Sequence, residues 1–277
     1  MRAKSLQSGE KEMTLNPVID IHTHIFPDHG AAKIVAALEA EAECKAFSDG
    51  TRQGLLNSMQ KAGIQVSVQV PVATRPDQVE SINSYALKIS DQKIISFGAL
   101  HPKYPHYKKE ISRLRAGGIK GVKFHPEYQE FFPDDEAMFP VYEELAKARL
   151  IAFFHAGRDI AFENVHGTPA HFARLIKAFP NLKLVLAHMG GFQMWDEVLE
   201  EIIGKDVYID TSFSMNYMSS HAFLQLVERH DPDLILFGTD SPWQDQQQEL
   251  AKLGTLITDA SDLEKIVSLN AINLLDL

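Results

Sequence analysis

The chain has 277 residues, enough for one α/β barrel with a large core, so neither disulfides nor oligomerisation are needed for stability. Apolar residues make up 45% and charged residues 23%, as in an ordinary globular enzyme. The formal charge of −10 argues against general binding to nucleic acid or an anionic membrane, both of which need a basic surface, but leaves room for an anionic small-molecule substrate.

Residues 1–17 are polar and lack the apolar centre of a secretory signal; they read as a leader, with Met13 as an alternative start. No apolar run reaches membrane-span length. The single cysteine, Cys44, forms no internal disulfide and fits a reducing cytoplasm. A homodimer is compatible with this composition.

From residue 18 to 277 the pattern is one domain of repeated βα units, a short apolar run followed by an amphipathic stretch. The expected strands are 18–22, 64–70, 94–99, 121–125, 150–155, 182–188, 207–210 and 234–240. Between the first two lies an insertion longer than one crossover needs, expected as helices over 31–46 and 52–62 covering the barrel mouth. Asp134 and Asp135 are placed to cap a helix with Val141, Tyr142 and Leu145 on one face. Thr168 and Pro169 open another that buries Phe172, and 263–277 reads as a closing helix. Eight units with polar residues ending several strands, and no Gly-rich phosphate loop after the first, predict a closed (β/α)₈ TIM barrel rather than an open sheet.

The chemistry lies at those strand ends. VIDIHTH (18–24) puts Asp20, His22 and His24 on one face by strand alternation, with Ile19 and Ile21 toward the helices. A lone His-x-His is a weak signal. LIAFFHAG ends a strand with His155, LVLAHMGG with His188 and LILFGTDSPW with Asp240. Each alone is readily a cap or a satisfied core group; four strands ending this way point to one metal site, because neutral imidazole and carboxylate suit Zn²⁺, Mn²⁺ or Fe²⁺.

DIHTHIFP, FPNLKLVLAHMGG, VYIDTS, FGTDSPW and NAINLLDL together resemble the amidohydrolase superfamily, in its branch of decarboxylase-like and lactonase-like enzymes. The resemblance implies His22, His24, His155 and Asp240 as ligands of one catalytic divalent metal, zinc first. It implies His188 as general acid/base, with Asp240 sharing proton transfer. GVKFHP (121–126) places Lys123 and His125 on one strand face and is similar to the lysine-bearing motif of binuclear members. A carboxylated Lys123 would bridge two ions and let His188 bind the second; a cationic Lys123 would contact substrate or steady an oxyanion. Arg75 after the second strand is a candidate carboxylate clamp, His125 a substrate contact and Trp243 a pocket wall; His101 and Tyr128 could also reach the mouth. The remaining histidines receive no role.

The expected function is a metal-dependent hydrolase of a small ester, lactone or amide, with a non-oxidative decarboxylase as the alternative on the same ligands. A histidinol-phosphatase-type phosphoesterase would carry a late Asp-x-His pair, which Asp240-Ser-Pro lacks. A non-catalytic barrel protein would be expected to have lost a ligand.

Overall fold

The computed structural model describes residues 16–277, so the leader expected over 1–17, Met13 included, lies outside the described residues up to position 15. Nine short parallel strands build the barrel wall: β1 (Ile19–Thr23), β2 (Val66–Gln69), β3 (Ile94–Ser96), β4 (Gly98–Ala99), β5 (Gly121–Phe124), β6 (Ile151–Phe154), β7 (Leu184–Leu186), β8 (Tyr208–Asp210) and β9 (Ile235–Leu236). They pair in sequence order as β1 to β3 and β4 to β9. β3 and β4 are halves of the third expected strand, interrupted at Phe97, whose amide still bonds to the Gln69 carbonyl (2.8 Å). The last strand meets the first through Ile21 N to Phe237 O (2.9 Å), Asp240 N to His22 O (2.8 Å) and a parallel bridge between Thr23 and Ser241. The eight expected units form a TIM barrel.

Side-chain alternation sorts the wall into two cores. Val122, Phe124, Ala152, Phe154, Leu184, Leu186, Ile209 and Phe237 face the helices. Inside the barrel, Ile19, Ile21, Val68, Phe97, Phe153, Val185 and Leu236 pack together. This corrects the reading of β1. Ile19 and Ile21 point inward, while Asp20 accepts from Gln246 Nε2 (2.7 Å) on the helix Gln246–Leu256 and from the Thr239 hydroxyl (2.6 Å). The β1–β2 register slips between Asp20 and Thr23. Such a bulge shifts the alternation by one residue, which returns His22 to the interior beside Phe153.

The helices follow local chemistry closely. Thr51 caps Arg52–Ala62 by accepting from Gly54 N (2.9 Å), and Thr168 caps Pro169–Ala178. The first inserted helix, Ala31–Ala42, ends four residues before the expected limit, at a left-handed Glu43. Asp135 caps a 3₁₀ turn, Glu136–Met138, that leads into the helix Phe139–Ala148. The closing helix breaks into Ala260–Glu264, a π turn at Lys265–Leu269, and Asn270–Leu275. The cause is a carbonyl diverted outward: Ile266 O accepts from Phe237 N (2.9 Å) at the barrel edge. Among the described residues no helix is long and apolar enough to cross a membrane.

Candidate metal centre

β1 delivers His22 and His24, whose Nε2 atoms lie 3.5 and 2.9 Å from Oδ1 of Asp240. Asp240 follows β9 in a left-handed conformation (φ 66°), and His188 follows β7 in another (φ 61°). Each costs a non-glycine residue about 1 kcal/mol or more. Specific bonds hold both in place. Asp240 N is fixed to His22 O, His24 N donates to Ser241 O (2.6 Å), and His188 N donates to Asp210 Oδ1 (3.0 Å). Strain of this kind gathers where geometry serves chemistry. It also explains why β7 stops short of its expected end, since His188 has left the ladder.

Hydrogen-bond partners assign the imidazole protons. His22 Nδ1 faces the Asp210 carboxylate (Oδ2, 2.9 Å), which only accepts, so Nδ1 carries the proton and Nε2 presents a lone pair. His188 Nδ1 faces the Ser212 carbonyl (3.1 Å), with the same result. Ser212 Oγ gives its own proton to Asp210 Oδ1 and lies 2.9 Å from His22 Nδ1 and 3.0 Å from His188 Nδ1. Asp210 and Ser212 therefore orient both rings together. Burial holds His22 and His188 well below the usual imidazole pKa; the Lys123 charge adds to this at His22 and the His155 ring at His188. The rings stay neutral, with the Nε2 lone pairs unprotonated, as metal ligands must be.

His22, His24 and Asp240 offer ligand atoms that all lie within 4.8 Å of one another. The lone pair of His22 Nε2 faces a carboxylate oxygen, an arrangement relieved by positive charge, whether from Lys123 or from a cation held between the two. These donors fit a divalent cation. Lys123 reaches the same point: its Nζ lies 3.3 Å from His22 Nε2 and 4.3 Å above the Phe153 ring centre. Burial pushes its pKa down to about 8, against the pull of Asp210 and Asp240.

His155 stands beside this trio rather than within it. Its Nδ1 is 3.0 Å from His188 Nε2, and its Nε2 is 3.0 Å from the Arg158 carbonyl. Burial, then the neighbouring His125, lowers its pKa to about 4. His125 stacks on His155 (ring centres 4.2 Å apart, 14° between planes) and lies 3.3 Å from Asp159 Oδ2. Burial would raise the Asp159 pKa; the His125 hydrogen bond and the two imidazoles outweigh it and hold the carboxyl below the usual range. His125, His155 and Asp159 form a second compact group, and His22, His188 and Asp210 a third.

All of these except Asp210 line a cavity of about 1180 Å³ together with Tyr128, Arg158 and Trp243. The helix Ala31–Ala42 contributes Ile34, Leu38 and Ala42 to its wall, as expected of an insertion over the mouth. Arg75 is elsewhere: its side chain is 62% exposed, and both ends of its fork are taken by Asp77 at 3.1 Å. His101 is buried outside the cavity lining, its Nδ1 accepting from Lys103 N (3.1 Å). Sequence reasoning missed Asp210, Ser212, Asp159 and Arg158. Asp210 carried the same signal as Asp240, a carboxylate closing an apolar run; the other three sit in loops without periodicity.

A search of curated protein sequences returned no match. Among solved structures, 5-carboxyvanillate decarboxylase from Sphingomonas paucimobilis superposes with a TM-score of 0.69 at 17% identity, over 94% of this chain and 99% of that one. Dihydroxybenzoic acid decarboxylase from Polaromonas sp. JS666, with bound manganese and 2-nitroresorcinol, gives 0.71 at 15% identity, over 95% and 97%. A probable 2-pyrone-4,6-dicarboxylic acid hydrolase from Acinetobacter baumannii gives 0.66 at 14%, over 94% and 99%. At these identities the likeness is one of fold. The amidohydrolase family model matches residues 19–277, nearly the whole length, and the chain belongs to that family of TIM-barrel enzymes.

Proposed function

We propose that the chain is a metal-dependent hydrolase of a small ester, lactone or amide bearing a carboxylate. The observation that carries this reading is the placement of Lys123 Nζ 3.3 Å from His22 Nε2, beside the His22–His24–Asp240 trio and facing the cavity. His22, His24 and Asp240 would hold the metal, with His155 joining from β6. Zinc is the proposed ion, with manganese or iron as substitutes. A bound divalent cation supplies Lewis acidity and lowers the pKa of water toward neutrality.

The chain's own groups supply the rest. His188 Nε2, a lone pair kept bare by Ser212 and Asp210, takes and returns a proton, and Asp240 shares that transfer. Lys123, with its pKa near 8, has an accessible neutral form. As a carbamate it would bridge two ions, with His188 then a ligand; as an ammonium it would steady an oxyanion or contact substrate. His125, held by Asp159, and Trp243 shape the substrate's position.

A decarboxylase acting on an unsaturated or aromatic acid is the second reading, favoured by the aromatic side of the cavity, which includes Phe26, Tyr85, Phe192, Phe213 and Trp243. The discriminating assay offers the metal-loaded protein a panel of lactones, esters and amides, and separately hydroxybenzoates. Formation of the carboxylic acid product without CO2 supports the hydrolase; CO2 release from the acids with an inert panel of lactones, esters and amides replaces it with the decarboxylase.

A further inference from the structure

We infer that Arg158 is the anchor for the substrate carboxylate at this cavity, the role that chain position alone assigned to Arg75. The inference rests on the proposed hydrolase site and names the group that selects an acidic substrate there. Arg158 lines the cavity three residues beyond His155. Its backbone is fixed on both sides: its amide donates to Phe192 O (2.9 Å), and its carbonyl lies 3.0 Å from His155 Nε2. The residue before it, Gly157, has φ 85°, and a Cβ there would come within 2.2 Å of Phe192 N. Only glycine allows the chain to press so closely on the β7 loop, and that contact sets where the next side chain begins.

The guanidinium itself has no hydrogen bond or ion pair among the described residues. Arg158 is exposed, as is Lys88, whose side chain likewise has no hydrogen bond or ion pair among the described residues, and the two differ in placement. Arg52 is paired with Asp91, Lys123 is packed between His22 and Phe153, and Lys88 lies in the last turn of an outer helix, Val79–Ile89. The neighbouring acid, Asp159, is turned to His125 and does not compete, whereas Asp77 takes the fork of Arg75. A rigid base, a free planar fork and an aromatic wall match one ligand chemistry: a carboxylate on an apolar, preferably aromatic, body.

Benzoate and its neutral counterpart benzamide are the probes, titrated into the purified, metal-loaded chain while tryptophan fluorescence is followed, since Trp243 lines the cavity. Benzoate should bind about tenfold more tightly than benzamide, the ratio produced by about 1.4 kcal/mol. Arg158→Gln should bring the ratio to about one with benzamide affinity unchanged, Arg158→Lys should restore part of it, and Arg75→Gln should leave it intact. A preference that survives Arg158→Gln would place the carboxylate on the metal and overturn the anchor. Equal affinities in the unmodified chain, or no quench by either ligand, would also overturn it. Hydrolysis of neutral esters without charge preference would sink the anchor alone, and charge preference without hydrolysis would sink the hydrolase alone.

Discussion

The two ends of the barrel solve opposite problems. At the foot, Lys120, Arg149 and Lys183 each precede a strand (β5, β6 and β7) and, with Arg115, edge a small hollow of about 270 Å³. Arg149, Lys183 and Arg115 are exposed, and Arg115 and Arg149 lie at the C-terminal ends of two helices, where positive charge offsets the helix dipole. At the mouth, by contrast, Lys123, His22, His155 and His188 are buried. Cations at the foot are placed where folding favours them. At the mouth Lys123 is kept against a desolvation cost and the imidazoles are held neutral by burial, and that difference locates the chemistry.

The contrast breaks first at the trio. Asp240→Ala should remove most bound metal, read by elemental mass spectrometry, and reduce turnover by at least about 1000-fold, equal to about 4 kcal/mol of transition-state stabilisation. A variant that keeps its metal and its rate would dissolve the distinction between the ends. Ser212→Ala and Asp210→Asn act away from the metal-facing nitrogens, through the rings' Nδ1 atoms and the His188 amide, so their cost should be about 10- to 100-fold in metal affinity or rate. Retention of both quantities would show that the rings need no such support.

Lys123→Met sharpens the comparison through stability. In the folded chain the lysine pKa is about 8, below its unfolded value near 10.4. Between those values the unfolded chain binds more protons, so stability rises with pH there, and the burial penalty is fully present below pH 8. In metal-free protein, Lys123→Met should be more stable than the parent at pH 7, by about 1–3 kcal/mol, with the gap closing toward pH 10. Urea unfolding across pH measures it, and a gap that does not change with pH would contradict the assignment. The smallest effect belongs to the foot: Lys183→Ala should change stability by no more than about 0.5 kcal/mol and leave turnover intact. A large loss of rate would mean that the foot takes part in function.

Much of the barrel was legible because its strands are short apolar runs closed by a polar residue, a pattern that survives without any tertiary information. His22, His24 and Asp240 followed from it, and the structure brings their ligand atoms together. The facing of β1 did not follow, because strict alternation takes no account of a bulge, and the slip between Asp20 and Thr23 reverses Asp20 while keeping His22 inside. The end of β7 was overestimated because left-handed backbone at His188 has no signature in hydrophobic pattern. Arg75 was misplaced for a local reason: an acid two residues on captured its fork. Arg158 was invisible because its place depends on Gly157 meeting Phe192, a contact between distant loops.

An anomalous-scattering map of metal-loaded crystals, collected at the absorption edge of the bound ion, tests the account most directly. The predicted result is a peak at about 2.0–2.2 Å from His22 Nε2, His24 Nε2 and Asp240 Oδ1. An active, metal-replete crystal with no peak among those three atoms would contradict it.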